Sequence, residues 1–199
     1  GQTNERAMMS AVIPKGVVCG NKVPTLCFGG KSGLQRLMFW VGVTNSFVFD
    51  WMLRRVLTTT VNMFLLNELP FPRISLNSKF AREIIKATSE LSDLRCEFYE
   101  DNDRMSQLRA TIDVAVLHAY GLDGSDMRLI MDDFPLLDRM QTPIRNEPKS
   151  TITRDMVLSL VCEGAEKGMF RKRVIAARRL GAKAYIPCEM RSLTKGGVR

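Results

Sequence analysis

The feature that most constrains the fold of this chain is a long apolar stretch, residues 34–57. Its apolar side chains recur every three or four residues, which is typical of the buried stripe of a helix. The charged residues Arg36 and Asp50 and the polar Asn45 interrupt the stretch. A membrane span needs about 18 or more apolar residues with few or no charges. We therefore predict one buried helix over residues 34–57 and no membrane-spanning segment.

The composition indicates a globular protein with reduced thiols. Of 199 residues, 45% are hydrophobic and 25% are charged, which is enough apolar material for a core. Five Cys residues are scattered, without a Cys-x-x-Cys pair, and the chain has one His, so neither a disulfide framework nor a structural zinc site is expected. The polar start, residues 1–6, does not resemble a signal peptide. We expect a cytoplasmic protein, and a first residue other than Met suggests a segment of a longer chain.

Residues 7–28 precede the apolar stretch and contain alternating apolar runs and turn signals. The run from Ala7 to Ile13 ends at Pro14-Lys15-Gly16, and a later run begins after Gly20-Asn21. These signals predict strands. The β-branched triplet Thr58–Thr60 predicts an extended path after the helix, and Pro70 and Pro72 predict an extended exit, so we place a domain boundary near Ser75.

The second half of the chain reads as helices. We predict one helix after a cap at Asn77 or Ser78, a second over residues 103–120 that ends at Gly121, a short one over 124–130, and a fourth over 154–167. The predicted fold is therefore α+β: a small mixed α/β domain (residues 1–75), a helical extension (76–166) and a basic tail (167–199).

The basic tail concentrates the charge of the chain. Residues 167–199 contain ten Lys or Arg against one acid, Glu189, a net +9. Because the whole chain has a net charge of +8, residues 1–166 carry −1. A basic segment on a nearly neutral body fits either a polyanion-binding element or a solvated, disordered tail, and charge alone leaves both open.

Several patterns touch on chemistry without completing a site. Gly30-Lys31-Ser32 lacks the glycine that a phosphate-binding loop has five positions before the glycine of its Gly-Lys pair, where this chain has Thr25. His118 has no triad-like neighbours, so a structural role inside a helix is expected. Asp132-Asp133 with Glu147-Pro148-Lys149 only faintly resembles a magnesium-dependent nuclease pattern. We predict no catalytic residue, no metal site and no bound cofactor within this chain.

Four segments, which follow one another along the chain in the order expected for one protein family, carry a resemblance to it. They are residues 3–14 with Gly20-Asn21, residues 45–54, residues 58–62 with 66–72, and residues 117–122 with Phe134-Pro135. Together they resemble the C-terminal part of large adenine-specific DNA methyltransferases, including type IIG restriction–modification enzymes and related phage-defence proteins. The adenine-methylating (Asp/Asn)-Pro-Pro-(Tyr/Phe) motif is absent, because the chain contains no Pro-Pro.

The resemblance implies a target-recognition region that holds double-stranded DNA. A separate methyltransferase domain of the same parent chain would use S-adenosylmethionine to methylate adenine. Asn can form paired hydrogen bonds with adenine and Arg with guanine, whereas hydroxyl groups donate hydrogen bonds to phosphates. On this basis the expected DNA contacts are Asn4, Arg6, Thr58, Thr59, Thr60 and Asn62, with Lys22, Lys31 and Arg55 facing phosphates.

Two alternatives remain open from the sequence. The polar cluster at residues 3–6 fits an intramolecular network, and Arg55 fits the negative end of a helix dipole. At the level of function, the chain fits a protein-interaction module that docks the methyltransferase domain or another subunit of a defence complex. The apolar residues that motivate this second function are Met8, Met9, Phe39, Trp40 and Phe49.

Overall fold

The structure is a computed structural model that describes residues 6–20, 23–58, 60–93, 102–134 and 152–179. Over these ranges it contains eight helices and no strand. The helices are α1 (Gly33–Thr44), α2 (Phe47–Val56), α3 (Met63–Glu68), α4 (Lys79–Asp93), α5 (Asn102–Ala119), α6 (Gly124–Asp132), α7 (Ile152–Val161) and α8 (Gly164–Arg179).

The predicted α+β class is therefore wrong for the described part of the chain. Residues 7–20 and 23–28 have no regular secondary structure, although two of the expected turns form. The Val17 N–H donates to the Pro14 carbonyl at 3.4 Å, and the Val23 N–H donates to the Gly20 carbonyl at 2.9 Å. Apolar alternation predicts an extended chain, but a strand also needs a hydrogen-bonded neighbour. The polar contacts of this segment are instead made to α1 and α2.

The predicted single helix over residues 34–57 is also wrong, because the chain breaks between α1 and α2. Ser46 is extended, with φ −78° and ψ 156°, and its hydroxyl accepts the Phe49 N–H at 3.2 Å. The Phe47 N–H donates to Asp113 of α5 at 2.8 Å. Both groups satisfy donors that a helix start leaves without partners. The apolar spacing continues through the break, so periodicity could not reveal it.

The central helix of the fold is α5, which packs against α4, α7, α1 and α2. Its residues Val116 and Leu117 are fully buried. Where α1 crosses α4, a Cβ on Gly42 would lie 2.5 Å from the Thr88 Oγ1 and 2.6 Å from the Ile84 Cγ2. Glycine is therefore required for the two helices to approach this closely.

The predicted cap at Ser78, the predicted end at Gly121 and the predicted start at Gly124 are confirmed, whereas α6 continues to Asp132, past its predicted end at Ile130. At the start of α4, the Ser78 hydroxyl accepts the Ala81 N–H at 3.3 Å. After α5, Gly121 has φ +75°, the left-handed conformation that glycine adopts at helix ends. Before α6, Asp123 and Asp126 form a reciprocal capping box.

The last predicted helix, residues 154–167, differs in the structure. Helix α7 ends at Val161, and α8 begins at Gly164, whose φ is +59°. Helix α8 continues to Arg179, so the first part of the predicted basic tail, residues 167–179, is helical. One cluster of buried residues spans both sides of the predicted boundary near Ser75, from Met8 to Val174. No described helix is both long and apolar enough to cross a bilayer.

Candidate nucleic-acid interface

Arg6, an expected base contact, is engaged inside the protein. Its Nε donates to the Asp50 Oδ2 at 2.8 Å, and its Nη2 donates to the Asn45 carbonyl. The guanidinium also lies over the Phe47 ring, 4.1 Å from its centroid. With its side chain only 14% exposed, Arg6 would have to leave these partners to reach DNA. The contacts favour the intramolecular network that the sequence left open.

Asp50 is the centre of this network and is fully buried. Besides Arg6, it accepts the Arg54 Nε at 3.0 Å and the Ala7 backbone N–H at 3.0 Å. A buried carboxylate is tolerated when cations and hydrogen bonds replace its lost hydration. Asp50 therefore holds the N-terminal segment against α2.

A second set of contacts holds the same segment against the α1–α2 corner. The Ser10 N–H donates to the Asn45 Oδ1 at 2.9 Å, and the Asn45 Nδ2 donates back to the Ser10 carbonyl at 2.8 Å. The Ser10 and Thr44 hydroxyls lie 2.7 Å apart. We call residues 6–10, with Asn45 and Asp50, the N-terminal anchor.

Asp113 connects the anchor to α5. It is 4% exposed and accepts the Phe47 N–H. Burial raises the pKa of Asp113 from 3.8 to about 7, while the positive charges of Arg6 and Arg109 and the Phe47 hydrogen bond oppose the rise. Because the carboxyl faces a helix N-terminus and the anchor, its protonation state affects the stability of both.

Beyond the anchor, residues 11–20 and 23–27 form what we call the exposed segment. Six of the fourteen large hydrophobic residues that the described chain exposes lie in it, and Val18 is 94% exposed. The six are Val12, Ile13, Val17, Val18, Val23 and Leu26. At its far end the Phe28 and Trp40 rings pack with centroids 6.4 Å apart, and the Arg36 Nη2 donates to the Gly29 carbonyl at 2.5 Å. The segment is thus attached at both ends and open in the middle.

Three of the predicted contact residues lie together in the α2–α3 connection. Thr58, Thr60 and Asn62 are all exposed there. Asn62 begins α3, and its Oδ1 accepts the Leu65 N–H at 3.0 Å. Thr59 lies outside the described residues, as do Asn4 and Lys22. The connection therefore presents two hydroxyls and one side-chain amide on the surface.

The two predicted phosphate contacts that are described have different surroundings. Lys31 is exposed just before α1. Arg55 is also exposed, but it lies 4.6 Å from the centroid of the Trp51 ring and forms an ion pair with Asp133. Asp133 also accepts the Trp51 Nε1 at 2.6 Å. The ion pair reduces the positive charge that Arg55 offers to a phosphate.

Within residues 1–166, basic and acidic residues are concentrated in different regions of the chain. Residues 6–76 contain eight Lys or Arg and two acids, whereas residues 77–134 contain seven Lys or Arg and twelve acids. No acid occurs between Glu5 and Asp50. The two regions nearly cancel in the sum for residues 1–166, which concealed the signal. Among the residues of the first region that the structure describes, the exposed cations are Lys15, Lys31, Arg36 and Arg73, together with the paired Arg55.

The residues weighed for catalysis have structural partners. The His118 ring lies 5.4 Å from that of Phe80, and its Nδ1 is 3.3 Å from the Leu122 carbonyl oxygen. Asp132 pairs with Arg154. Glu147 and Lys149 lie outside the described residues. Within the described ranges, no three His, Cys, Asp or Glu side chains are grouped so that they could hold a metal ion.

Comparison with known proteins gives no match to a family model, to a curated protein or to a solved structure.

Proposed function

We propose that this chain is the DNA-binding C-terminal part of an adenine-specific DNA methyltransferase of the restriction–modification kind. It holds duplex DNA in the bacterial cytoplasm while a separate domain, supplied with S-adenosylmethionine, methylates adenine. The observation that carries the proposal is the charge segregation, because residues 6–76 expose several cations and few acids. The four segments that resemble such enzymes support the choice of class.

The roles within this face follow from the chemistry of the side chains. Lys15 and Lys31 are exposed point charges, which attract phosphates without reading sequence. Thr58, Thr60 and Asn62 offer hydroxyl and amide groups that can contact base edges. The Asn62 Oδ1 has a second lone pair besides the one used by Leu65, so the amide retains its capacity for adenine.

A salt titration tests the binding itself. The full chain is titrated with a mixed pool of duplexes between about 50 and 200 mM salt, where phosphate contacts lose affinity steeply. We expect Lys15→Glu/Lys31→Glu to weaken binding and to reduce the slope of log affinity against log salt by about 2. The matched control is Arg82→Glu/Lys86→Glu on the exposed face of α4. No binding at low salt, or equal losses in both variants, would overturn the proposal.

Base reading is tested at Asn62 with two substitutions. Asn62→Asp keeps the oxygen that accepts the Leu65 N–H but removes the amide donors, whereas Asn62→Ala removes both. We expect the wild-type chain to enrich a motif from a randomised duplex library, and Asn62→Asp to lose the preference at an adenine position while α3 stays folded. An unchanged motif would exclude Asn62 as a reader.

A second function is favoured by the exposed segment. Large exposed apolar patches mark protein–protein contacts, and six exposed apolar residues lie in this one segment. In this alternative the segment docks on the methyltransferase domain or on another subunit of a defence complex. Val18→Asp should then weaken association with the parent methyltransferase domain in a pull-down with purified partners, while DNA binding by the chain alone is unchanged. If the wild-type chain and Val18→Asp associate equally well with the methyltransferase domain, the docking role is contradicted.

A further inference from the structure

We infer that the outward face of α8 is a second DNA contact, which binds the phosphate backbone and does not read sequence. The inference rests on the proposed function in one respect only: the ligand is duplex DNA. The face is separate from the N-terminal region, because α8 packs on α7, which in turn packs on α5 and α6.

The inward side of α8 shows which charges the fold itself uses. Phe170 and Val174 are buried in the core cluster. Arg173 lies 3.7 Å from the buried Asp155 of α7. Glu166, the single acid of α8, forms an ion pair with Arg128 of α6. The charges that face the fold are therefore compensated within it.

Two exposed cations of α8 lie on different sides of the helix: Lys172 lines its outward face, and Arg171 lines a groove that α8 forms with α5 and α7. Arg171 and Lys172 are exposed and have no ion pair among the described residues. Successive helical residues are rotated by about 100°, so these two side chains leave the helix in different directions. Two long cations that diverge in this way can contact neighbouring phosphates on either side of the helix axis.

The shape of this face favours close approach. A shallow depression of about 590 Å³ lies along it, and Met169, Lys172 and Arg173 line it together with three small residues. A Cβ built on Gly168 would meet nothing within 4 Å, so the helix backbone is open to solvent at this position. The small lining residues are Ala165, Gly168 and Ala176. A phosphate backbone could therefore lie against the helix while the cations extend past it.

Length and charge fit duplex DNA better than a lipid surface. The 16 residues of α8 contain six Lys or Arg and one acid. At about 1.5 Å per residue the helix spans about 24 Å, and a duplex carries one charge per about 1.7 Å of its axis. Membrane-surface helices insert a broad apolar face. Outside the core, α8 offers only Met169 and Ile175 as large apolar residues, and each is about half exposed.

The experiment uses the full chain and the double variant Arg171→Ala/Lys172→Ala. We expect its affinity for a selected duplex and for a scrambled duplex to fall by the same factor, with a salt slope reduced by about 2. Arg171→Lys/Lys172→Arg keeps both charges and should keep the slope. Arg82→Ala/Lys86→Ala on α4 is the control with two equally exposed cations. Helical content by circular dichroism should be unchanged in all three, because the residues are on the surface.

The outcomes separate this inference from the proposed function. If Lys15→Glu/Lys31→Glu weakens binding but the α8 variant leaves affinity and slope unchanged, only the inference is overturned. If the α8 variant weakens binding and the N-terminal variant does not, the inference stands and the recognition role of residues 6–76 fails. A loss confined to the selected duplex would also contradict a contact that ignores sequence. Binding to anionic vesicles without binding to DNA would overturn both.

Discussion

Residues 6–10 and the exposed segment that follows them have similar apolar content, yet they differ in how they pack against the helices. Met8 is 6% exposed and packs in the core cluster, whereas Val18 is 94% exposed. The first segment is hydrogen-bonded to Asn45 and Asp50 through its backbone and side chains. Between residues 11 and 27, the described backbone bonds close only two local turns. Polar partners, more than apolar content, decide which part of the N-terminal region is ordered against the helices.

The largest test of this comparison is removal of Asp50. Asp50→Ala leaves Arg6 and Arg54 without their buried counter-ion, so we expect the free energy of unfolding to fall by about 3–5 kcal/mol. Urea denaturation measures the change. The control is Asp132→Ala, which breaks an exposed pair with Arg154 and should cost no more than about 1 kcal/mol. Equal losses in the two variants would mean that burial of the Asp50 ion pairs does not increase their contribution to the free energy of unfolding.

Truncation of matched apolar residues separates the two segments directly. Met8→Ala removes a buried side chain from the core, and we expect a loss of about 2–3 kcal/mol. Val18→Ala acts on an exposed side chain and should change stability by less than about 0.5 kcal/mol. Thermal unfolding of both variants gives the comparison. A similar shift for Val18→Ala would show that the exposed segment is packed in solution.

The pH dependence of stability tests the group beneath the anchor. The pKa of Asp113 is about 7 in the folded protein against 3.8 as its ordinary value, so the folded state binds this proton more tightly. Stability from this group is therefore complete below pH 3.8 and declines as the pH rises towards 7. Arg6, Arg109 and Asp50 are the charged groups that act on it.

Asp113→Asn removes the charge and retains an acceptor for the Phe47 N–H. We expect this variant to exceed the wild type by about 2–3 kcal/mol between pH 5 and pH 6 and to match it below pH 3.8, since each unit of pKa shift corresponds to about 1.4 kcal/mol. Chemical denaturation across the pH range provides the measurement. Parallel stability profiles for the two proteins would contradict the raised pKa.

The smallest expected effect concerns the reciprocal amide contact. Asn45→Ala removes both hydrogen bonds to the Ser10 backbone, for an expected loss of about 1–2 kcal/mol. Hydrogen exchange should accelerate at the Ser10 N–H and remain unchanged in α5. If the Ser10 N–H exchanges as fast in the wild type as in Asn45→Ala, the anchor ends before this residue.

Several helix ends in the second half of the chain could be predicted because their signals are local. Ser78 and Gly121 act on helix ends within a few residues of themselves, and the structure has caps at both places. The break at Ser46 could not be predicted from spacing, since part of its stabilisation comes from Asp113, which lies 67 residues further along the chain than Ser46. The strands predicted over residues 7–28 failed for the same reason: a ladder depends on a distant partner.

The candidate interface divides in the same way. The sequence alone supplied the residues that we consider for DNA contacts, and it contains the charge contrast between residues 6–76 and 77–134. Only the tertiary structure decided that Arg6 faces Asp50, that Arg55 faces Asp133, and that Thr58, Thr60 and Asn62 stay on the surface. Charge is a property of each residue, but its availability to a partner depends on which groups the fold brings within hydrogen-bonding distance.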